Sequence, residues 1–154
     1  MSKIFISYRR EDSAGPARRI FQFLKPLLAS RTDIVLGAAG PPKRVNPSEH
    51  VDRMLSQYEV LLAVIGPGWL TSVDGRTGIR RIDDPNDLVR LQIATALKRG
   101  IRVVPVLLDG VPFPIASALP DELKPLAAFD RTEIRRRSID SDLERLVRGL
   151  GVGS

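Results

Sequence analysis

The 154 residues predict a doubly wound α/β domain: a five-stranded parallel sheet, order 2-1-3-4-5, with helices on both faces. Two observations carry this. Short β-like apolar runs alternate with longer segments whose apolar residues recur every three or four positions. One run, Val60–Ile65, is apolar throughout, as a central parallel strand buried on both faces requires.

Each element follows in order. Lys3–Ser7 reads as the first strand. From Ala14 to Leu28 the apolar positions Ala17, Ile20, Phe21, Leu24 and Leu28 give an amphipathic helix, weakened at its last turn by Pro26. Asp33–Leu36 is a short second strand, followed by a Gly- and Pro-rich loop from Gly37 to Asn46. Pro47 to Gln57 forms a second helix, with Asn46 as N-cap and Pro47 where a missing N–H costs nothing. The third strand stops at Gly66-Pro67-Gly68, and a long polar loop carrying Trp69 leads to Asp84-Pro85. A third helix runs from about Asn86 to Lys98 and is closed by Gly100. Val103–Leu107 is the fourth strand, in which Pro105 implies imperfect pairing on one side or a bulge. Pro120 to Leu126 makes a short helix and Phe129 to Ile134 an edge strand. Ile139, Leu143, Leu146, Val147 and Leu150 mark a closing helix. Residues 1–150 are thus expected to form one domain, with 151–154 a flexible tail.

Composition narrows the function. The apolar fraction, 43%, is that of a globular chain. No apolar run reaches the length of about 18 residues that spans a membrane. Met1-Ser2-Lys3 leads straight into a strand, leaving no room for a signal peptide, so the cytoplasm is the expected compartment. The absence of cysteine excludes disulfides, thiolate metal sites and Cys nucleophiles. Net charge is +6, but the basic residues are scattered. One Trp, two Tyr and five Phe give little material for base stacking, so nucleic acid is a poor partner. Nothing matches a G-x-S-x-G, Walker A or G-x-G-x-x-G motif. A phosphoacceptor of the response-regulator kind needs an acidic strand end, and strand three ends in Ile65-Gly66.

In an open parallel sheet, ligands bind at the carboxyl ends of strands where strand order reverses, here between the first and third. The loops beginning at Tyr8, Gly37 and Gly66 flank that point. Ser7-Tyr8-Arg9-Arg10 sits at a strand end before a helix N-terminus, an arrangement that suits a phosphate. The other reading is plain capping by Asp12 or Ser13 with solvated arginines. Trp69 admits a nucleobase-stacking role or a loop-anchoring one. Asp83, Asp84 and Asp87 read as helix caps or as a substitute catalytic acid. His50, the lone histidine, reads as surface, and Arg135–Arg137 as a solvated run or a contact for an acidic surface.

Three blocks, FISYRREDSAGPARRI, LLAVIGPGWL and DDPNDLVRLQIATALKRGIRVVPVLLDG, resemble in order and spacing the conserved blocks of bacterial TIR (Toll/interleukin-1 receptor) domains, over residues 4 to 150. The resemblance implies a flavodoxin-like sheet and self-association with other TIR domains through sheet-edge and loop surfaces. In many bacterial members it also implies NAD cleavage at the nicotinamide–ribose bond. NAD would then be substrate or ligand, with no cofactor required and no metal. Family members place a glutamate in a helical segment reading like RLEIATAL; this chain has Gln92 there. After strand two they commonly show D-x-D-x-I-x-P-G-x-D-F. Here Gly37 and Ala39 stand at the acids, Arg44 at the glycine and Pro47 at the aromatic.

The missing charge is chemically telling. Breaking the bond to a cationic nicotinamide builds oxocarbenium character on the ribose, which a carboxylate stabilises and an amide does not. Loss of one such contact typically costs about 10²- to 10³-fold in rate. The candidate nucleotide pocket comprises Ser7, Arg9, Arg10, Gly37 and Ala39, with Arg44, Trp69 and Gln92 completing it. Its combined departures imply relaxed selection for NAD cleavage, because a single engineered exchange at position 92 leaves the loop unexplained.

Overall fold

The computed structural model describes residues 3–27, 33–37 and 44–150. The expectations for Leu28, Ala39, most of the 37–46 loop and the 151–154 tail lie outside these residues. Val60–Ile65, here β3, is buried at every position and sits at the centre of an all-parallel sheet. The order is β2-β1-β3-β4-β5, with β1 Lys3–Ser7, β2 Asp33–Leu36, β4 Arg102–Leu108 and β5 Thr132–Ile134. β1 lies between β2 and β3, in register Ile4↔Ile34 and Ile4↔Val60, so strand order reverses beside it.

Side chains alternate across the sheet and build two cores. Phe5, Leu61, Ala63 and Ile65 face helices α2 (Pro47–Leu55) and α3 (Leu88–Arg99), packing with Val51, Leu55, Ile93 and Ala96. Ile4, Ile6, Leu62 and Val64 face α1 (Arg10–Leu27) and α4 (Ile139–Leu150), packing with Ile20, Leu24, Leu143 and Leu146. Each Val, Leu, Ile or Phe side chain so buried contributes about 1.5–3 kcal/mol relative to exposure.

Several boundaries differ from the sequence reading. α1 begins at Arg10 instead of Ala14 and runs through both Pro16 and Pro26, each exposed, so the missing N–H groups are not sealed in the core. α2 stops at Leu55, before Gln57, because the Ser56 N–H and hydroxyl both turn back to the Arg53 carbonyl. Its N-cap is Asn46, whose side chain accepts from the Glu49 N–H at 3.1 Å. α3 is capped by Asp87 and ends on Gly100 at φ 73°, where glycine carries no Cβ penalty. Pro105 produces no break with β3: the register runs from Val60↔Arg102 through Ala63↔Pro105 to Ile65↔Leu107. The incomplete side is β5, which pairs only with Val106–Leu108 and starts at Thr132, not Phe129. Before it, the short helix expected over Pro120–Leu126 is a 3₁₀ segment, Asp121–Ala128, containing Pro125.

The β5–α4 corner is pinned by a residue the sequence did not single out. Asp142, 1% exposed, accepts hydrogen bonds from the Arg135 N–H, the Ser138 hydroxyl and the Arg145 guanidinium at 2.8–2.9 Å. Burial pushes its pKa up, but the Arg135 N–H, then Ser138 and Arg145, outweigh it, leaving the carboxyl below its ordinary value. A depressed folded pKa contributes stability that is present above the unfolded value and lost as pH falls through the folded one. Asp142→Ala is therefore expected to cost about 2–3 kcal/mol near neutrality. The deficit relative to the parent should shrink in acid, as read by urea unfolding across pH 3 to about 7.

Candidate functional site

β1 presents Phe5, Ser7 and then Arg9 toward the α2/α3 layer by simple alternation. Opposite them runs α3, and the two elements are tied by side chains far apart in sequence. The Ser7 hydroxyl donates to Gln92 Oε1 at 2.7 Å, and Gln92 Nε2 donates to the Gly37 carbonyl at 3.0 Å. Gln92 is 1% exposed, so this amide clips β1, α3 and the end of β2 together from inside. The Gly37 N–H in turn donates to the Ile6 carbonyl at 3.0 Å.

One turn toward the α3 N-terminus, Arg9 makes a bidentate pair with Asp87, Nη1 to Oδ1 and Nη2 to Oδ2, both at 3.0 Å. Asp87 Oδ2 also accepts the Arg90 N–H, so one carboxylate caps α3 and neutralises the arginine. Arg9 is 3% exposed, which corrects the reading of a solvated guanidinium: both of its terminal nitrogens are engaged by an internal anion. Arg10, by contrast, is exposed.

Around this pair lies a cleft of about 320 Å³. Tyr8, Arg9 and Arg10 line it from the end of β1, Asp74 and Arg81 from the β3–α3 connection, and Asp84 and Asn86–Val89 from the start of α3. Gln92 and Ser7 do not line it. Arg44 is exposed and has φ 68°, a left-handed conformation natural to the glycine that the resemblance places there. Trp69 is 1% exposed and packed in the α2/α3 core, so it anchors the loop and presents no face to a base. The structure thus joins Ser7, Gly37 and Gln92 in one buried cluster and Arg9 with Arg10 in a neighbouring cleft.

Among the three aspartates weighed as substitute acids, Asp83 pairs with Arg80 at 2.8 Å, and that contact holds its carboxyl below the usual range. Asp87 is committed to Arg9. Asp84 is exposed and accepts the Asn86 N–H at 2.9 Å. Arg81 was not read from the sequence as part of the site; the signal available was only its place in the loop preceding α3.

No family model and no curated protein matches the chain. Among solved structures it is similar to the TIR domains of the activated Roq1 resistosome directly recognizing the pathogen effector XopQ. The TM-score is 0.65 at 11% identity, covering 97% of this chain and 99% of that one. The chain has the TIR fold. A metazoan TIR-STING receptor from C. gigas is similar at a TM-score of 0.52 and 20% identity, covering 92% of this chain. The chain spans only 38% of that receptor chain's length. Among the described residues, no helix of this TIR-fold chain is long and apolar enough to cross a membrane.

Proposed function

We propose that this chain is a TIR-type signalling or defence module that acts by associating with itself or with other TIR domains, its NAD-cleaving activity lost or impaired. The observation that carries the reading is the state of Gln92. Both ends of its amide are used, on Ser7 and on the Gly37 carbonyl, and it is shielded from solvent. A neutral side chain so engaged offers no negative charge to a ribosyl cation. The association half of the reading draws on the likeness to the TIR domains of a resistosome.

The direct test is to incubate the purified protein with NAD and quantify nicotinamide. No release above a protein-free control is expected; turnover equal to that of active TIR enzymes would overturn the reading. Gln92→Glu is expected to remain inactive, for a physical reason. The introduced carboxylate keeps the Ser7 bond but sets an acceptor oxygen against the Gly37 carbonyl, in a buried place. Both effects disfavour the charged form, so its folded pKa rises above the unfolded value of about 4.3. A raised carboxyl pKa costs nothing at pH below the unfolded value, and the cost grows as pH rises toward the folded one. The variant should therefore match the parent best in acid and lose about 2 kcal/mol or more at neutrality. Gain of nicotinamide release in Gln92→Glu alone would show that the loop bearing Gly37 and Ala39 is competent.

A second reading, an NAD hydrolase using another acid, is favoured by one observation: Asp74 and Asp84 line the cleft beside Arg9. Measurable turnover that disappears in Asp84→Asn and persists in Gln92→Ala would establish it.

A further inference from the structure

A second hollow opens on the other face of the sheet from Gln92, in the layer packed by α1 and α4. Its volume is about 500 Å³ and its floor is apolar. That floor is Leu108 and Ile134, the buried last residues of β4 and β5, with half-buried Ile139 at the start of α4. The wall contributed by α1 is Gly15-Pro16, the two residue types that helices tolerate least, set side by side within the helix. A Cβ built on Gly15 meets no atom within 4 Å, so the space above it is open. A larger residue there would shield apolar surface that the glycine leaves accessible.

The rim is charged. Arg19, one turn along α1 from Pro16, offers a guanidinium that makes no hydrogen bond or ion pair among the described residues. Of the Arg135–Arg137 run only Arg136 lines the hollow, and its anionic contact is loose: Nε lies 3.8 Å from Asp109 Oδ2, with the side chain almost wholly exposed. Two arginines against Asp109 leave the lining one positive charge in excess. We propose that this hollow binds an amphiphilic monocarboxylate of medium chain length, its tail on Leu108, Ile134 and Ile139 and its carboxylate between Arg19 and Arg136. Two carboxylate oxygens suit the guanidinium forks, whereas a polyanion meets repulsion from Asp109. Neither the Ser7–Gln92 cluster nor the cleft around Arg9 takes part, so the proposal is independent of NAD cleavage.

The test is an NMR titration of the full chain with butanoate, octanoate and octan-1-ol at constant ionic strength, following the amide signals of Gly15, Asp109 and Ile134. Octanoate is expected to bind tightest. Each methylene lost should weaken binding by about fourfold, which puts butanoate behind by about a hundredfold or more. Octan-1-ol, with the same tail and no charge, should bind roughly fivefold to tenfold more weakly. Arg19→Gln combined with Arg136→Gln should reduce octanoate to the affinity of octan-1-ol while leaving octan-1-ol itself unchanged. Gly15→Leu, which improves the helix, should fold at least as well as the parent and abolish binding of both. Failure of octanoate to bind would overturn the proposal. So would butanoate binding as tightly as octanoate, which indicates diffuse attraction of anions, or octan-1-ol matching octanoate, which indicates an apolar hollow with no role for the arginines. Undiminished octanoate binding in Gly15→Leu would place the ligand elsewhere and overturn it equally.

Discussion

Asp87→Ala is expected to lower folding stability by about 3–5 kcal/mol, among the largest effects of any single surface-proximal change in this domain. Two losses combine. Arg9, 3% exposed, is left as a buried charge without its bidentate partner. α3 simultaneously loses the side chain that accepts the Arg90 N–H, a contribution of about 1 kcal/mol. Asp87→Asn separates the two, since asparagine caps a helix nearly as well but supplies no charge. It should recover the capping share and leave the larger deficit in place. Removing both partners, as in Arg9→Met with Asp87→Asn, should be less damaging than the sum of the single changes, because no uncompensated charge remains. Urea unfolding of the four proteins closes the cycle. A cost below about 1 kcal/mol for Asp87→Ala would mean that the pair behaves as an exposed one, and the account of a filled arginine fork would fail.

The sheet was legible because burial leaves a strong periodic trace. Val60–Ile65 had to be a strand buried on both faces, and Asn46-Pro47 and Gly100 announce helix ends by stereochemistry alone. What misled was the absence of an apolar signal at element ends. The first turn of α1, Arg10–Ser13, is entirely polar and carries no periodicity, so the helix read from Ala14 starts at Arg10, and the short helix read over Pro120–Leu126 is a 3₁₀ segment, Asp121–Ala128, containing Pro125. The candidate site was legible in its residues but not in its partnerships. Period-two alternation carried past the end of β1 puts Arg9 on the same side as Ser7, and the N-cap Asp87 lies about a turn and a half before Gln92 of α3. Nothing local says that Arg9 meets Asp87, 78 positions away, or that Gln92 spends its amide on a backbone carbonyl. Trp69 shows the same limit: a tryptophan after Gly-Pro-Gly fits stacking or anchoring equally, and only its 1% exposure decides for anchoring.

Restoring the loop acid at position 37 is expected to fail for want of space. A Cβ built on Gly37 would lie 1.8 Å from Phe5 Cζ and within 2.5 Å of both neighbouring ring carbons. Phe5 has little freedom to withdraw, being 1% exposed and held edge-on against Tyr58 with ring centroids 5.4 Å apart. The Gly37 backbone cannot yield cheaply either, since its N–H is bonded to Ile6 and its carbonyl to Gln92. Gly37→Asp should therefore cost about 3 kcal/mol or more, through overpacking and through a carboxylate forced against an aromatic ring. Phe5→Ala alone should cost about 3–5 kcal/mol through the cavity it leaves. Combined, the two should fall well short of additive, because the aspartate then enters space the ring has vacated. Thermal and urea unfolding of the parent, both single variants and the double variant measure that coupling; a Gly37→Asp chain as stable as the parent would show that the ring moves aside freely. The consequence for chemistry is that the two missing charges are not independent. The carbonyl that Gln92 grips belongs to the very residue whose side chain Phe5 excludes, so Gln92→Glu disturbs the same backbone that Gly37→Asp must displace. Nicotinamide release in the Gly37→Asp, Gln92→Glu double variant is accordingly expected to stay at the background level of the parent.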